Sequence, residues 1–504
     1  MALRMQAGVW ASGHRLALRW VQTLGTGASP AQHAVLPFEA IPKCPGNPWE
    51  SSPLSCKGQD HREQIHLEMQ RHFEELGSIF SFRTGAGSAS RSSWSSPEKL
   101  CLLLRGQDLE LKYDIGGVYW VNVMLLDAHG LQLVDGPLSY RTSVESWVAY
   151  RQQYGHKLGV FLMCIPGCVN AFVRVPVGID VMHVCMNGPQ WRHIRMQLNP
   201  DVFSPRRVQR FMPMVDTVAR DFAQALKSKV LNDARGCLTL DIRSSIYFYV
   251  MEVSYFMMFG KRLGLLGSQP NSASVDFLEA VHTMMSSSMK LQFLPHSLSR
   301  WTHANVWTQH FKAWDNIFQY VIKAMDSTYQ EVAQGCPQQE MGLITQLLLT
   351  SDMTLDDLKI NSIDLMAGNI DTTSHCLLMT LFELSRNPSL QEALRRESLA
   401  AEPVLRESPH KAISELPLLF ATLKETLRLY PVAMTVQRCV HSDVVLQNYH
   451  IPAGTSVSVH LYSWGRNPGV FPSPERYYPR WDTRGPGRII KHMAFCFGVR
   501  QCLG

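Results

Sequence analysis

FCFGVRQCLG, residues 495–504, sets Cys502 in a frame of Phe495, Gly498, Arg500 and Gly504. A thiolate that ligates an iron must face the metal yet stay sheltered from protons and oxidants. Glycines on either side allow a tight turn and let backbone N–H groups approach the sulfur. Phe495 can wall such a site, and Arg500 can pair with a carboxylate of a bound cofactor. The competing reading is a small apolar core residue, the usual fate of a lone cysteine. Five fixed positions together favour the ligand.

The rest of the chain bounds what Cys502 can belong to. With 504 residues, 45% hydrophobic and 18% charged, it can bury a large core. A net charge of +6 is modest at this length and gives no argument for nucleic acid. No run of eighteen uncharged apolar residues marks a spanning helix. From Met1 to Phe38 there is no Asp or Glu, while Arg4, Arg15 and Arg19 sit among apolar residues. That start reads as a mitochondrial transit peptide over 1–35, with 36–504 as the folded domain. Twelve cysteines are too few for a disulfide scaffold.

Helical periodicity dominates from about residue 60. In VDTVARDFAQALKSKV, Val215, Val218, Phe222 and Leu226 fall on one face. Similar patterns cover 309–334, 359–386, 388–402 and 415–429. Strand-like pieces are fewer: 118–126, 443–452 and 456–464, with Pro452-Ala453-Gly454 predicting a hairpin turn between the last two. The expectation is a mainly α fold with a smaller β region, α+β in class. Two stretches stand apart: the Gly/Ser-rich run within 84–112, and 164–186, where three cysteines and two prolines show no helical period.

Further groups carry chemistry. LMAGNIDTTSHCLL (365–378) sets Gly368, Asp371, Thr372 and Thr373 in an apolar helix, where Gly and Thr each cost up to about 1 kcal/mol relative to Ala. A kink that turns a hydroxyl and a carboxylate toward a cavity would explain them. LKETLRLYP (423–431) spaces Glu425 and Arg428 three apart, which by itself suggests a solvated surface pair. QWRHIRM (190–196) puts Trp191 and Arg195 on one helix face, and Arg438 follows a strand pattern. Cys164, Cys168, His183 and Cys185 offer zinc-type ligands at a spacing unusual for a closed site.

Together the cysteine frame, Glu-x-x-Arg, Gly-x-x-Asp-Thr-Thr and Trp-x-x-x-Arg resemble the haem-thiolate monooxygenases, the cytochrome P-450 family. VLPFEAIP (35–42), HLEMQRHFEELG (66–77), WVAYRQ (147–152), LNPDVFSP (198–205), LPHSLSRWT (294–302), LMTLFELSRNP (378–388) and VVLQNYHIPAG (444–454) look like the mitochondrial steroid 11-beta- and 18-hydroxylases within it.

The resemblance implies haem b with Cys502 as the iron's axial ligand. Trp191, Arg195, Arg438 and Arg500 would contact the haem propionates, with Phe495 and Gly498 shaping the cofactor loop. Asp371 and Thr372 would relay protons to dioxygen. Trp147, Phe161, Asp364, Ala367, Met434 and Thr435 would line the steroid pocket. Glu425 and Arg428 would be structural, completed by Arg480. Lys424 would face adrenodoxin, which takes electrons from NADPH through adrenodoxin reductase. FLPHSLSRW (293–301) would dip into the inner mitochondrial membrane from the matrix side.

Some features depart from the family's pattern. Arg480 follows Pro479 directly, Ala494 stands where a proline is usual, and the two odd stretches interrupt otherwise continuous regions. In the family a helix follows the cysteine and directs its N-terminal dipole at the thiolate. The expectation here is a chain lacking that helix and the strands beyond it, binding haem poorly. The alternative to a working hydroxylase is therefore a haem-free, non-catalytic product. Nothing in the sequence separates 11-beta-hydroxylation from further oxidation at carbon 18.

Overall fold

Helices carry most of the described residues. The computed structural model describes residues 35–43, 65–84, 120–125, 188–202, 204–231, 240–267, 270–291, 305–335, 340–439, 442–453, 455–479, 493–496 and 501–502. The transit-peptide segment, the 164–186 stretch, nearly all of 84–112 and the 293–301 segment lie outside these residues.

In chain order the elements are α1 (Ile65–Leu76), β1 (Ile79–Thr84), β2 (Trp120–Leu125), α2 (Gly188–Val202), α3 (Pro205–Val208), α4 (Met212–Leu231) and α5 (Ile242–Phe259). Then come α6 (Ser272–Leu291), α7 (Asn305–Ala333), α8 (Leu343–Thr350), α9 (Leu355–Arg386), α10 (Pro388–Glu407), α11 (Ala412–Glu415) and α12 (Pro417–Leu429). The last are β3 (Thr435–Cys439), β4 (Val444–Leu446), β5 (Tyr449–Ile451), β6 (Ser456–His460) and α13 (Leu461–Gly465).

Every long helical period read from the sequence is a helix here, displaced by a few residues at its ends. The central one, α9, runs about 48 Å at 1.5 Å per residue. Its N-terminus is closed by Thr354, whose hydroxyl accepts from the Asp357 N–H at 3.2 Å. Asp356 and Asp357 sit in the first turn and Arg386 in the last, each matching the helix dipole. Leu358, Ile363, Met366, Ala367 and Ile370 join α9 to one large core shared with α2 and α4 to α8. The helix packs against α5, α7 and α12.

The β region differs from the sequence expectation. Residues 443–452 do not form one strand. They fold back on themselves as the β4–β5 hairpin, turning at Gln447 and Asn448, both in the left-handed region. β6 pairs with β2 in parallel and β3 antiparallel, not with β5, in a sheet of order β1-β2-β6-β3. The 456–464 pattern also splits, becoming β6 and then α13, which His460 caps. Ile41, Ile79, Ile451, Val457, Val459, Trp464 and Met493 build a second, smaller core around these strands.

α5 shows how a buried acid is made tolerable. Glu252 is fully buried. It accepts from Arg262 Nε at 2.7 Å and from the N–H groups of Leu263, Gly264 and Leu265 at 3.0, 3.2 and 2.8 Å. The turn that brings those donors round begins at Gly260, with φ of 70°. A side chain there would also strike the Glu340 carbonyl, so only glycine fits. Glu252→Ala should therefore cost on the order of 3 kcal/mol in denaturant unfolding, because it strands buried donors. A loss under about 0.5 kcal/mol, the scale of a surface change, would contradict this account.

Candidate functional site

The cysteine loop is tied to distant parts of the chain at both ends. Met493 is buried in the smaller core, and its carbonyl accepts from Cys496 N–H at 2.8 Å. Cys502 N–H donates to the Phe495 carbonyl at 2.9 Å, closing the loop. On α2, the buried Arg195 donates from Nη2 to the Gln501 carbonyl at 2.7 Å and from Nε to Asn199 Oδ1 at 2.8 Å. One guanidinium thus fixes the backbone next to Cys502 from 306 residues away. Cys502 is half-buried and Phe495 stands half-exposed beside it.

Cys496 occupies the left-handed region at φ of 55°. A non-glycine residue there carries roughly 1 kcal/mol or more of backbone strain. Strain of this kind concentrates at functional turns.

Arg438 lies on β3 opposite Val457 and is 1% exposed, the bulkiest of the fully buried side chains. Burying a guanidinium is costly unless anions meet it, and carboxylates of a cofactor are the natural match. Trp191 lies on α2, with its side chain outside the described residues. So do all of Gly498, Arg500, Trp147, Phe161 and Arg480, together with the zinc-type set Cys164, Cys168, His183 and Cys185. Among the described residues no group of three or more His, Cys, Asp or Glu is placed to hold a metal ion.

The middle of α9 has open space beside it at one position. Ala367 and Ile370 are buried, yet Gly368 between them is exposed, with no atom within 4 Å of where its Cβ would stand. One turn on, the Thr372 hydroxyl donates to the Gly368 carbonyl at 2.9 Å. The poor helix formers lie inside one uninterrupted helix, because their side chains bond back to α9 and across to α5. Thr373 Oγ1 donates to Asn369 Oδ1 at 2.8 Å, and Asn369 Nδ2 donates to Ser254 Oγ at 2.6 Å.

Asp371 is largely buried, and its Oδ1 has no hydrogen-bond partner among the described residues. Burial pushes its pKa up; a hydrogen bond from Tyr247 and the neighbouring His282 and His375 pull the other way. His375 is pushed down by burial, partly offset by the Tyr430 carbonyl 3.2 Å from Nε2 and by Asp371. Asp364 and Ala367 sit in the packed interior. Met434 and Thr435 are half-buried at the entry to β3, where the Met434 carbonyl accepts from Leu461 N–H at 2.8 Å.

Glu425 and Arg428 on α12 are not a surface pair. Both side chains are 1% exposed and they meet in a two-pronged bridge of 2.8 and 2.7 Å. Arg428 also donates to the carbonyls of Gly465, Pro474 and Arg476 at 2.5, 2.7 and 3.1 Å. Tyr478 N–H donates to Glu425 at 2.8 Å. Lys424, next along the helix, is partly exposed.

Sequence reasoning missed three residues of this region. Tyr247 carries no motif, and its place beside Asp371 comes only from the packing of α5 on α9. Asn369 was hidden by the threonines that follow it. Cys496 could have been noticed, since it adjoins the first position of the frame.

The comparisons with known proteins agree with the geometry. The family model described as "Cytochrome P450" matches residues 180–504. The chain is 48% identical to mitochondrial cytochrome P450 11B1 of Ovis aries and 49% identical to that of Sus scrofa, over all of this chain and 90% of each relative. It is 44% identical to mitochondrial cytochrome P450 11B3 of Rattus norvegicus, with the same coverage. On the family match and these relatives, with a cysteine presented in a closed loop and two buried arginines, the chain belongs to the cytochrome P450 family of haem-thiolate monooxygenases.

Proposed function

We propose that this chain is a mitochondrial steroid hydroxylase that inserts one oxygen atom of dioxygen into a corticosteroid precursor, by 11-beta-hydroxylation with oxidation at carbon 18 as the related activity. The observation that carries this reading is the loop of Cys502, closed on Phe495 and clamped by Arg195 through the Gln501 carbonyl. It presents a half-buried thiol beside an aromatic ring and a buried cation, within a chain whose relatives are named as mitochondrial P450 11B enzymes.

The residues present fit a haem b group. Arg195 and Arg438 supply buried positive charge for its propionates, joined by Trp191 and Arg500. Gly368 leaves α9 without a side chain where a flat ring could lie against it. Cys502 would hold the haem iron through its thiolate, with Phe495 and Gly498 shaping its loop. When bound, the haem activates dioxygen and supplies the oxygen atom that enters the substrate.

The overall reaction consumes two electrons and two protons, placing one oxygen in the C–H bond and releasing the other as water. The protein must therefore deliver protons to a site it otherwise keeps dry. Thr372 offers a hydroxyl on α9 beside Gly368, and Asp371 a carboxyl whose pKa burial raises. Trp147, Phe161, Asp364, Ala367, Met434 and Thr435 are the residues we assign to the steroid pocket. Electrons would come from adrenodoxin docking near Lys424, fed from NADPH through adrenodoxin reductase. Glu425 and Arg428 hold the scaffold, with Arg480 following in the same segment.

We further propose a transit peptide over 1–35, a P450 domain over 36–504, and peripheral attachment to the matrix side of the inner membrane. No helix among the described residues is long and apolar enough to cross a membrane.

Three outcomes follow. The reduced, haem-supplemented chain should give a carbon monoxide difference band at the thiolate-ligated position, and Cys502→Ala should lose it while keeping its helical circular dichroism. A neutral-thiol band in the parent would count against thiolate ligation by Cys502. Cys496→Gly should tighten haem several-fold in a titration of the apoprotein, since it removes roughly 1 kcal/mol of left-handed strain; weaker binding would show that the Cys496 side chain is needed.

The third concerns Asp371. A carboxyl whose folded pKa is raised contributes most stability below its unfolded pKa and loses that contribution as pH rises through the folded value. Asp371→Asn should therefore equal or fall below the parent in acid and exceed it in stability at pH 7, while hydroxylation falls about a hundredfold. Equal stability at all pH values would contradict the placement of Asp371.

A further inference from the structure

We propose that Asn369 is a positioning residue for the Thr372 hydroxyl: its amide ties this turn of α9 to α5 and leaves that hydroxyl bonded to its own helix alone. The proposal rests on the reading of Thr372 as part of the proton path.

A directed chain of hydrogen bonds makes the tie. Thr373 Oγ1 donates to Asn369 Oδ1 at 2.8 Å, Asn369 Nδ2 donates to Ser254 Oγ at 2.6 Å, and Ser254 Oγ donates to the Val250 carbonyl at 2.7 Å. Every link runs the same way, from α9 to the backbone of α5. The middle position needs an acceptor and a donor on one short stem, which asparagine supplies. Ser254 is 2% exposed, so the far end of the chain lies in the interior where α5 and α9 pack. A bond placed there is shielded from competing water.

This part of α9 needs such a tie. Gly368, Asn369, Asp371, Thr372 and Thr373 are weak helix formers crowded into six residues, which makes this the turn most easily opened. The two adjacent threonines then have different tasks. Asn369 and Thr373, four apart, share one face of the helix, and Gly368 and Thr372 share another about 100° round. Thr373 spends its hydroxyl on the tie. Among the described residues, Thr372 Oγ1 reaches only the backbone of its own helix, at the carbonyls of Gly368 and Asn369, 2.9 and 3.3 Å away. It can exchange those acceptors for another without breaking a contact between helices. Beside it, Gly368 has no atom within 4 Å of where its Cβ would stand, so the hydroxyl has room to turn. A reacting group misplaced by about 1 Å can lose on the order of a hundredfold in rate, so a fixed turn under a movable hydroxyl has catalytic consequence.

The test uses the haem-loaded chain and two variants. Asn369→Leu keeps the shape and removes the amide; Ser254→Ala removes the amide's acceptor on α5. Hydrogen exchange of the 368–373 amides should quicken about tenfold in each, the scale of one lost hydrogen bond, and no further in the double variant. During turnover, hydrogen peroxide released per hydroxylated product should rise roughly tenfold. Dioxygen, two electrons and two protons then leave as peroxide instead of ending as the substrate hydroxyl and one water. In a Thr372→Ala background, Asn369→Leu should still quicken exchange but leave the peroxide ratio where Thr372→Ala puts it.

Unchanged exchange in both single variants overturns the tie and the proposal with it, as does a double variant that exchanges far faster than either single. Faster exchange with an unchanged peroxide ratio, in a chain where Thr372→Ala raises that ratio, leaves a purely structural tie and overturns the positioning role. A Thr372→Ala ratio equal to the parent's overturns the reading of Thr372 beneath the proposal. Should Asn369→Leu fail to fold, Ser254→Ala alone carries both readouts, with the same outcomes.

Discussion

The buried pair Arg428–Glu425 is the joint on which the cofactor side of the molecule depends. Two unit charges removed from water are tolerable only when their remaining hydrogen-bonding capacity is met. Here it is met by three carbonyls from 465–476 for the arginine and the Tyr478 N–H for the glutamate. The pair therefore does more than bind itself. It fastens the segment after α13 to α12, and so fixes the stretch that leads toward the cysteine loop. Gly465 belongs to the same joint, since a side chain there would collide with the Arg428 carbonyl.

From that joint the site is assembled by two long-range ties of a different kind. Arg195 reaches the Gln501 carbonyl from α2, and Met493 anchors the other end of the loop in the strand core. Both hold in place a loop in which Cys502 N–H donates to the Phe495 carbonyl and Cys496 carries backbone strain. On α9, Gly368 leaves open space beside the helix, and the Thr372 hydroxyl bonds back to its carbonyl.

The helical scaffold was legible in the sequence because long amphipathic periods survive any tertiary context. Cys502 stood out as the candidate ligand because its frame combines glycines, an arginine and an aromatic ring at fixed spacing. The β region was read less well. Residues 443–452 alternate like a single strand, yet Gln447 and Asn448 accept positive φ without the glycine that usually announces a tight hairpin. Partner choice in the sheet, β6 between β2 and β3, depends on contacts hundreds of residues apart that no local pattern encodes. The Glu425–Arg428 spacing is that of an ordinary surface pair. What buries it is the packing of 465–478 over α12, which the spacing alone does not contain.

Buried acids offer the clearest line between scaffold and chemistry in this chain. Glu252 is surrounded by a guanidinium and three backbone N–H groups, and Glu425 by a two-pronged arginine and a fourth donor. Each is held so fully that it is a fixed part of the scaffold. Asp371 lies largely buried too, but one of its oxygens is left open and burial pulls its proton affinity upward. An acid in that condition costs the fold stability at neutral pH, a cost that a saturating partner would have removed. The open oxygen lies one residue from the Thr372 hydroxyl on the same helix. Incomplete satisfaction at Asp371 is thus the physical feature that separates it from the two saturated acids.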